Sequence, residues 1–507
     1  MSSSRQNNGE GLNRIIYVSH DQLNLKYGAL ANANPQTDLI LLVESERMVK
    51  QSRWHFQRVH FILSSAKHFV TELETAGFNV QYLTAKDTAT GITEEKTKYR
   101  IENVICAEPT SYKLTKSLSD IGVKFVPNDF FLTSRSEFKD WAGGYKSFKM
   151  EDFYRWQRTR LGILVDGGKP EGGKWNFDAD NRLPPPKNHN WPKYTKFKTD
   201  QIDQAVADKL KDFGYWGEVQ IGNWATTRSA ALERLAEFVK NSLADFGPYE
   251  DAMTQESWSL NHSVISPYLN NGLLHASEVV QAIVDAYKKQ KRALNSVEGF
   301  IRQVIGWREY VNAMYWYLGE NYRFENKLNA KHKLLPMFAD PSCTKMNCLN
   351  SIITDVKARA WVHHIPRLMV LSNIANLVGV SPQAVLDWMR SVFVDATDWV
   401  MVPNVIGMGM HADSGQMMTK PYISGGAYIS KMSDYCKGCA FDPKLRTGEN
   451  ACPFTTLYWD YLERNKSAFT KNHRMFQQLN GLKRLSDLDQ VKVQAQQTIK
   501  ALLDGKL

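Results

Sequence analysis

Cys436 and Cys439 form a CxxC, Cys452 follows and is itself followed by Pro453, and Cys348 lies far upstream. Four thiolates so arranged can hold either zinc or an iron-sulfur cluster. A Cys-Pro pair closing the set leans toward iron and sulfur, and Cys343, close to Cys348, could replace it as fourth ligand. Cys106 stands alone and reads as a buried free thiol. A second group is His363, His364 and Arg367, where adjacent imidazoles suit proton transfer near neutral pH. Arg367 is one helical turn beyond His363, so the two could share a face, and Pro366 makes this turn a helix start or a kink. The run DATDWVMVPNVIGM at 395–408 mixes acids with Trp399 and Asn404 in a way that packing does not require. The turn Asp178, Ala179, Asp180, Asn181 could hold a divalent cation, although a solvated Asx-rich turn is the plainer reading.

The elements that must position these residues fall into two styles. From Ile15, short apolar runs at 15–19, 38–44, 80–83, 103–108 and 123–126 alternate with amphipathic stretches. Between the second and third run, Phe61, Ser65, Phe69 and Leu73 recur on one helical face. Buried strands separated by helices predict a doubly wound, Rossmann-like α/β domain with a parallel sheet. Such domains bind ligands beyond the carboxyl ends of their strands, which makes Asp21, Glu44 and Glu108, expected in the loops after strands one, two and four, candidate contacts. GxGxxG is absent, which argues against an ordinary dinucleotide dehydrogenase. Residues 165–200 read as linker, with Pro184, Pro185 and Pro186 forbidding a helix. From about Phe246 the chain reads as helix after helix, with Ile301, Val304, Ile305 and Val311 forming an apolar stripe between Val297 and Tyr315. The expected division is a disordered tail at 1–12, an α/β domain at 13–150, a linker at 151–245 and an all-helical domain at 246–507.

Composition narrows the class. With 507 residues and 43% hydrophobic side chains, the chain can bury large cores, which excludes disorder for most of it. Six cysteines are too few for a disulfide scaffold. No apolar run reaches the length of a bilayer span, and the first residues are polar, so a soluble cytoplasmic protein is expected. The formal charge of +10 is compatible with a polyanionic partner, and residues 415–507 carry 14 basic against 8 acidic side chains, beside the cysteines.

The segments HSVISPYLNNGLL (262–274), EGFIRQVIGWREYV (298–311), HHIPRLM (363–369), DATDWVMVPNVIGM (395–408), KPY (420–422) and C-x-x-C-x(12)-C-P resemble the iron-sulfur bacterial cryptochromes and photolyases, the prokaryotic (6-4) photolyase group. The resemblance runs from Ile15 to about Leu485. It implies an α/β antenna domain, an interdomain linker and an all-helical domain holding FAD and a [4Fe-4S] cluster. The implied activity is light-driven reversal of (6-4) photoproducts in UV-damaged DNA by electron transfer from reduced FAD to a flipped-out lesion. By motif match, Ser263, Ser266, Gln303, Trp307, Arg308, Arg367, Asn373, Asp395 and Asn404 look like flavin contacts, with Asp395 and Asn404 nearest the isoalloxazine. His363 and His364 look like the repair histidines, His364 being the proton donor, and Tyr422 resembles a lesion-pocket residue. Cys348, Cys436, Cys439 and Cys452 carry over as the cluster ligands, the cluster pins the C-terminal helices, and Cys343 is a bystander. The family's antenna is 6,7-dimethyl-8-ribityllumazine, whose loops Asp21, Gln22, Glu44 and Glu108 match. A divalent cation such as Mg2+ at the Asp178–Asn181 turn is a further candidate, and a monomer is expected.

Three positions depart from the family pattern. The photoreduction path commonly uses Trp, Tyr and a further Trp; here Trp388 is kept, Met389 stands for the Tyr, and Asp340 lies near the place of the outer Trp. Met and Asp are poor hole carriers, so the route must change, through Trp361, Trp399 or a nearby tyrosine. Pro366 replaces a usual polar residue. Two other classes compete: a blue-light photoreceptor of the cryptochrome type without repair, and a zinc-containing DNA-binding module without flavin. The His pair and Tyr422 favour the enzyme, because a sensor needs no lesion pocket.

Overall fold

The computed structural model describes residues 11–50, 53–290 and 293–507, so the expected tail at 1–12 lies almost wholly outside the described residues. Packing divides the chain into two compact units: Met1–Ser134 with Thr195–Leu235 and Ile265–Val279, and Arg135–Tyr194 with Ala236–Val264 and Val280–Leu507. This division differs from a linear cut at 150 and 245. The helix Gln201–Leu210, inside the expected linker, packs in the first unit, where Val206, Ala207 and Leu210 share a core with Phe56, Val59 and Leu63.

The first unit holds strands β1 (Arg14–Tyr17), β2 (Asp38–Ser45), β3 (Asn79–Ala85), β4 (Val104–Ala107) and β5 (Lys124–Val126). All pair in parallel, in the order β3-β2-β1-β4-β5. The central strands are apolar on both faces because helices cover both, so Ile15, Leu39, Leu41, Val43, Val104 and Cys106 form one core with Ile92 and Leu118. The crossover helices begin at side-chain caps: Asp87 accepts from Thr90 N ahead of Thr88–Tyr99, and Ser111 from Leu114 N ahead of Tyr112–Ser119. In Phe56–Thr75, Phe61, Ser65, Phe69 and Leu73 are all buried, as the periodicity predicts. The strand order reverses between β1 and β4, which puts the ligand crevice of such a sheet at their carboxyl ends. One expectation changes: Glu44 lies within β2, not in a loop, because the strand runs one residue past it to Ser45, which caps the next helix.

Among its described residues the regular structure of the second unit is helical apart from a two-stranded hairpin, Val165–Asp166 with Lys169–Pro170. The apolar stripe around Ile301 belongs to one continuous run, Leu294–Ile301, Arg302–Arg308 and Glu309–Leu318, whose middle segment winds as a π-helix. Pro366–Ser372 and Pro403–Gly409 are also π-helical, and these two pack against each other. An i→i+5 turn inserts an extra residue and re-aims its side chains, and it occurs most often where function overrides helix geometry. Pro366 lies in the first turn of a helix that begins at His364, where its missing N–H costs nothing. Residues 184–186 form no helix, yet the neighbouring Asn181 is buried and donates to Asn295 O at 3.1 Å.

Candidate functional site

Three imidazoles meet in the second unit. The His262 ring stacks on His363 with centroids 4.1 Å apart and 21° between planes, and meets His364 edge-on at 5.7 Å. Their ligand nitrogens lie within 4.8 Å of one another, and the side chain of His364 is 46% exposed while the other two rings are buried. Stacked rings send their in-plane lone pairs side by side, not to one point, so the group is better built to handle protons than to chelate a metal. Burial, then the neighbouring His364 charge, holds His262 well below the ordinary histidine range; burial, then His262, does the same for His363. His262 Nε2 and both ring nitrogens of His363 are buried without a hydrogen-bond partner. Two neutral rings thus back an exposed third, whose Nε2 lies 3.7 Å from Asp251 Oδ1.

Glu250, next to Asp251, is buried in a polar cluster. It accepts from Gln303 Nε2 and lies 3.6 Å from the Arg302 guanidinium, which also pairs with Asp178 at 3.0 Å and Glu298 at 3.8 Å. Burial outweighs the pull of Arg302 and His364 and pushes the Glu250 carboxyl up to about 7. Asp178 is also paired with Arg182, and Asp180 sits 3.6 Å from Lys174. The acidic turn thereby faces cationic side chains, the arrangement of a neutralised turn, not of carboxylates gathered for an ion. Tyr422 is half-buried in the same neighbourhood, its hydroxyl raised above the usual tyrosine range by burial and by Asp178.

Several expected flavin contacts are ordered by one another. Arg367 makes a two-point pair with Asp395 (2.9 and 3.0 Å) and donates from Nε to Val362 O at 2.7 Å. Asn373 donates to Ser424 O at 2.9 Å, and Asn404 to Val400 O at 2.7 Å. Gln303, Trp307 and Arg308 stand on the first π-helical segment, Arg367 on the second and Asn404 on the third. The Arg308 guanidinium bonds Glu309 at 2.6 Å and lies 5.4 Å from the Trp399 ring. The hydroxyl of Thr397, between Asp395 and Trp399, is buried without a partner. Ser263 precedes and Ser266 opens the short helix Ser266–Asn270, Ser266 falling in the first unit and Ser263 in the second.

Cys348, Cys436, Cys439 and Cys452 line one cavity with Met346, Ile429, Tyr435, Phe441 and Phe454. Cys343 is not in that lining; its Cβ packs near Gly505. Burial and then the charges of the other three raise the Cys348 thiol well above its usual range, and burial pushes Cys452 up to about 11. An apolar pocket that opposes four thiolates needs a cationic centre to ionise them. Among the described residues, only the histidine trio and His68, Asp200 and Asp203 bring three ligand atoms within 4.8 Å of one another; no three of the cysteine sulfurs do.

In the first unit the crevice between β1 and β4 carries the expected antenna residues. Gln22 donates to Glu108 O at 3.1 Å, and Asp21 accepts from Thr110 Oγ1 while its other oxygen is buried without a partner. Glu44 is bound by Lys209 and by the Tyr82 hydroxyl at 3.0 Å. His20 stacks on Tyr82 with centroids 6.4 Å apart, and its Nε2 is a buried atom lacking a partner. Sequence reasoning missed His20, Tyr82, Lys209, Glu250, Asp251 and His262. Only His262 had a signal, as the first residue of a segment already singled out.

Residues 16–224 match the sequence model of a family described as deoxyribodipyrimidine photo-lyase-related protein. Over 491 residues the chain is 39% identical to the (6-4) photolyase of Agrobacterium fabrum, covering 94% of this chain and 96% of that protein. The fold is similar to a bacterial class III photolyase from Agrobacterium tumefaciens, with a TM-score of 0.56 at 17% identity over 99% of this chain and 98% of the other.

Proposed function

Because this chain belongs to the photolyase family that includes the (6-4) photolyase of Agrobacterium fabrum, we propose that it is a light-driven DNA repair enzyme reversing pyrimidine-pyrimidone (6-4) photoproducts. The near-full-length identity carries the assignment, and the histidine trio supports the chemistry. FAD, when bound and reduced, supplies the electron that light drives into the lesion. The residues that would hold it are Ser263, Ser266, Gln303, Trp307, Arg308, Arg367, Asn373, Asp395 and Asn404. The fit is favoured by the unpartnered Thr397 hydroxyl beside Asp395 and by three π-helical turns that carry six of these side chains or their immediate neighbours. The Arg367–Asp395 pair fixes the carboxylate so that it cannot rotate away from a ligand.

His364 is the proton donor to the lesion, because it alone of the three imidazoles is exposed and its Nε2 lies beside a carboxylate, Asp251. His262 and His363, kept neutral by burial, wall off the other side of that ring. Tyr422 would line the pocket for the extruded base. Lys and Arg side chains would hold the flanking DNA through its phosphates.

The cysteines favour a [4Fe-4S] cluster over zinc: tetrahedral zinc at about 2.3 Å from each thiolate would hold the sulfurs roughly 3.8 Å apart, whereas no three of them gather within 4.8 Å of one another. The cluster would tie Cys348 to the C-terminal helices. A lumazine antenna at Asp21, Gln22, Glu44 and Glu108 is supported by the switch-point position and by the unpartnered atoms of His20 and Asp21. The turn at Asp178 offers less to Mg2+, since arginines already occupy its carboxylate. No described helix is long and apolar enough to cross a membrane.

The test is illumination of the reduced protein with an oligonucleotide bearing one (6-4) photoproduct, beside a cyclobutane-dimer control and the His364→Ala variant. Loss of the (6-4) lesion in the wild type and not in the variant is expected. No repair with reduced flavin present would instead support a photoreceptor.

A further inference from the structure

Residues 259–265 hold His262 in a conformation that packing alone does not require. Leu260 and Val264, two positions to either side of it, have φ of 45° and 56°. Left-handed backbone is costly for any side chain, most of all for a β-branched one such as Val264, and it persists where the surroundings demand it. Between these two residues the His262 backbone is tied on both sides: its N–H donates to Ser259 O at 2.9 Å, and its carbonyl accepts from the Tyr194 hydroxyl at 2.5 Å. The ring is caged as well, with His363 stacked on it at 4.1 Å and Phe246 meeting it edge-on at 5.6 Å.

This cage fixes the tautomer. The backbone carbonyl of Glu250 hydrogen-bonds the His262 ring, and Nε2 has no partner within the protein, so the bond is made by Nδ1. A carbonyl only accepts, hence Nδ1 carries the proton. Burial keeps the ring neutral, which leaves Nε2 as a bare lone pair in the interior. Shutting a lone pair away from water is costly, and a phenylalanine would fill the same space without that cost. The cost and the strained backbone together call for a partner that the lone pair meets during turnover.

The exposed ring of His364 is placed to be that partner. Two imidazoles joined by a ring N–H···N bond of about 2.9 Å have centroids roughly 5.2 Å apart; those of His262 and His364 are 5.7 Å apart, with 78° between planes. A turn of the exposed side chain that brings the rings about 0.5 Å closer makes the bond, and catalytic hydrogen bonds commonly tighten only when substrate is in place. His364 Nε2 lies 3.7 Å from Asp251 Oδ1, which leaves Nδ1 for His262. His363 stands nearly as close to His364, at 5.8 Å, but both its nitrogens lack a partner, so nothing fixes which of them is bare.

We propose that His262 is a positioning residue for the repair reaction, its bare Nε2 accepting the Nδ1–H of His364. The proposal rests on the reading of His364 as proton donor. At the start of the step His364 bears a proton on each nitrogen. Nε2 gives its proton to the lesion and keeps the electron pair, and the other proton is held on Nδ1 by His262, because the bond made at one imidazole nitrogen decides which nitrogen is protonated. Nε2 is then the bare nitrogen, ready to take the proton back as the repaired bases form.

The experiment is single-turnover repair of an oligonucleotide bearing one (6-4) photoproduct by dithionite-reduced protein under blue light, with lesion affinity and flavin content measured beside the rate. His262→Phe keeps an aromatic ring in the stack and removes the lone pair; it is expected to repair at least about tenfold more slowly, with affinity and flavin content as in the wild type. His262→Gln, whose amide oxygen reaches the place of Nε2, is expected to recover most of the rate, whereas His262→Asn, whose amide ends short of it, should behave as His262→Phe does. Because His262 acts through His364, adding His262→Phe to His364→Ala should slow the residual rate no further. Nitrogen-15 NMR of histidine-labelled protein should show His262 protonated at Nδ1 and bare at Nε2, a signature that packing alone does not demand. Should His262→Phe fail to fold, the Gln and Asn variants and the NMR signature decide. A wild-type rate in His262→Phe, a Gln variant no better than Asn, a further loss on top of His364→Ala, or a proton on Nε2 overturns the proposal. Failure of the wild type itself to repair with reduced flavin present overturns the repair reading, a result distinguishable from all of these.

Discussion

Gly426 lies where the cysteine cavity is tightest. A Cβ there would stand 2.9 Å from Cys452 Sγ, 2.8 Å from Thr455 Oγ1 and 3.1 Å from Pro443 Cβ. Ordinary contact begins at 3.4 Å, so the methyl of Gly426→Ala overlaps the sulfur by 0.5 Å. The hydroxyl cannot easily yield, since it accepts from Gly426 N at 3.1 Å and donates to Pro443 O at 2.8 Å. Overpacking of this kind costs about 1–3 kcal/mol, offset by up to about 1 kcal/mol of helix propensity. A displacement of half an ångström is also the tolerance of a metal site. The expected result is a substoichiometric cluster, read as iron and acid-labile sulfide per chain, with a Tm lower by a few degrees at about 2–4 °C per kcal/mol. Gly425→Ala is the control: its Cβ would meet nothing closer than 3.7 Å. That variant loses some stability, because Ala is a poorer N-cap than Gly, but keeps its iron. Full iron and a wild-type Tm in Gly426→Ala would refute the packing argument.

Two further outcomes test the second unit. The Glu250 carboxyl, raised from an ordinary value of 4.5 to about 7, binds a proton in the folded state that the unfolded chain has lost over that range. Stability should therefore fall as pH rises from about 4.5 to 7 and level off above, and Glu250→Gln should flatten that part of a Tm-against-pH curve; an unchanged slope would count against it. The groups acting on it are Arg302, His364, Asp251 and Asp178, so the variant isolates Glu250 while leaving them in place. Asp395→Asn strips the charge partner from the largely buried Arg367, a loss of about 3–5 kcal/mol for a buried pair, and should purify with less flavin and a lower Tm. Flavin content equal to wild type would remove Asp395 from the binding set.

Much of this molecule is legible in local chemistry. The five strands are short β-rich runs bounded by turn and cap residues, and their apolar character on both faces already requires a parallel sheet covered by helices. Cysteine spacing along the chain limits which thiols can share a centre, and the HH, WRE and PNV segments are conspicuous as residue types that packing alone does not require. Tertiary structure decided the rest. Cys348 and not Cys343 faces the cavity because helix Asn347–Arg359 carries it inward, a choice that two cysteines five positions apart leave open. His262 reaches His363 across 101 positions, and Glu250 reaches Gln303 from another element, contacts with no local periodicity to announce them. Local propensity is written in neighbouring residues, whereas proximity in space, desolvation and the field of distant charges arise only when the chain has closed on itself.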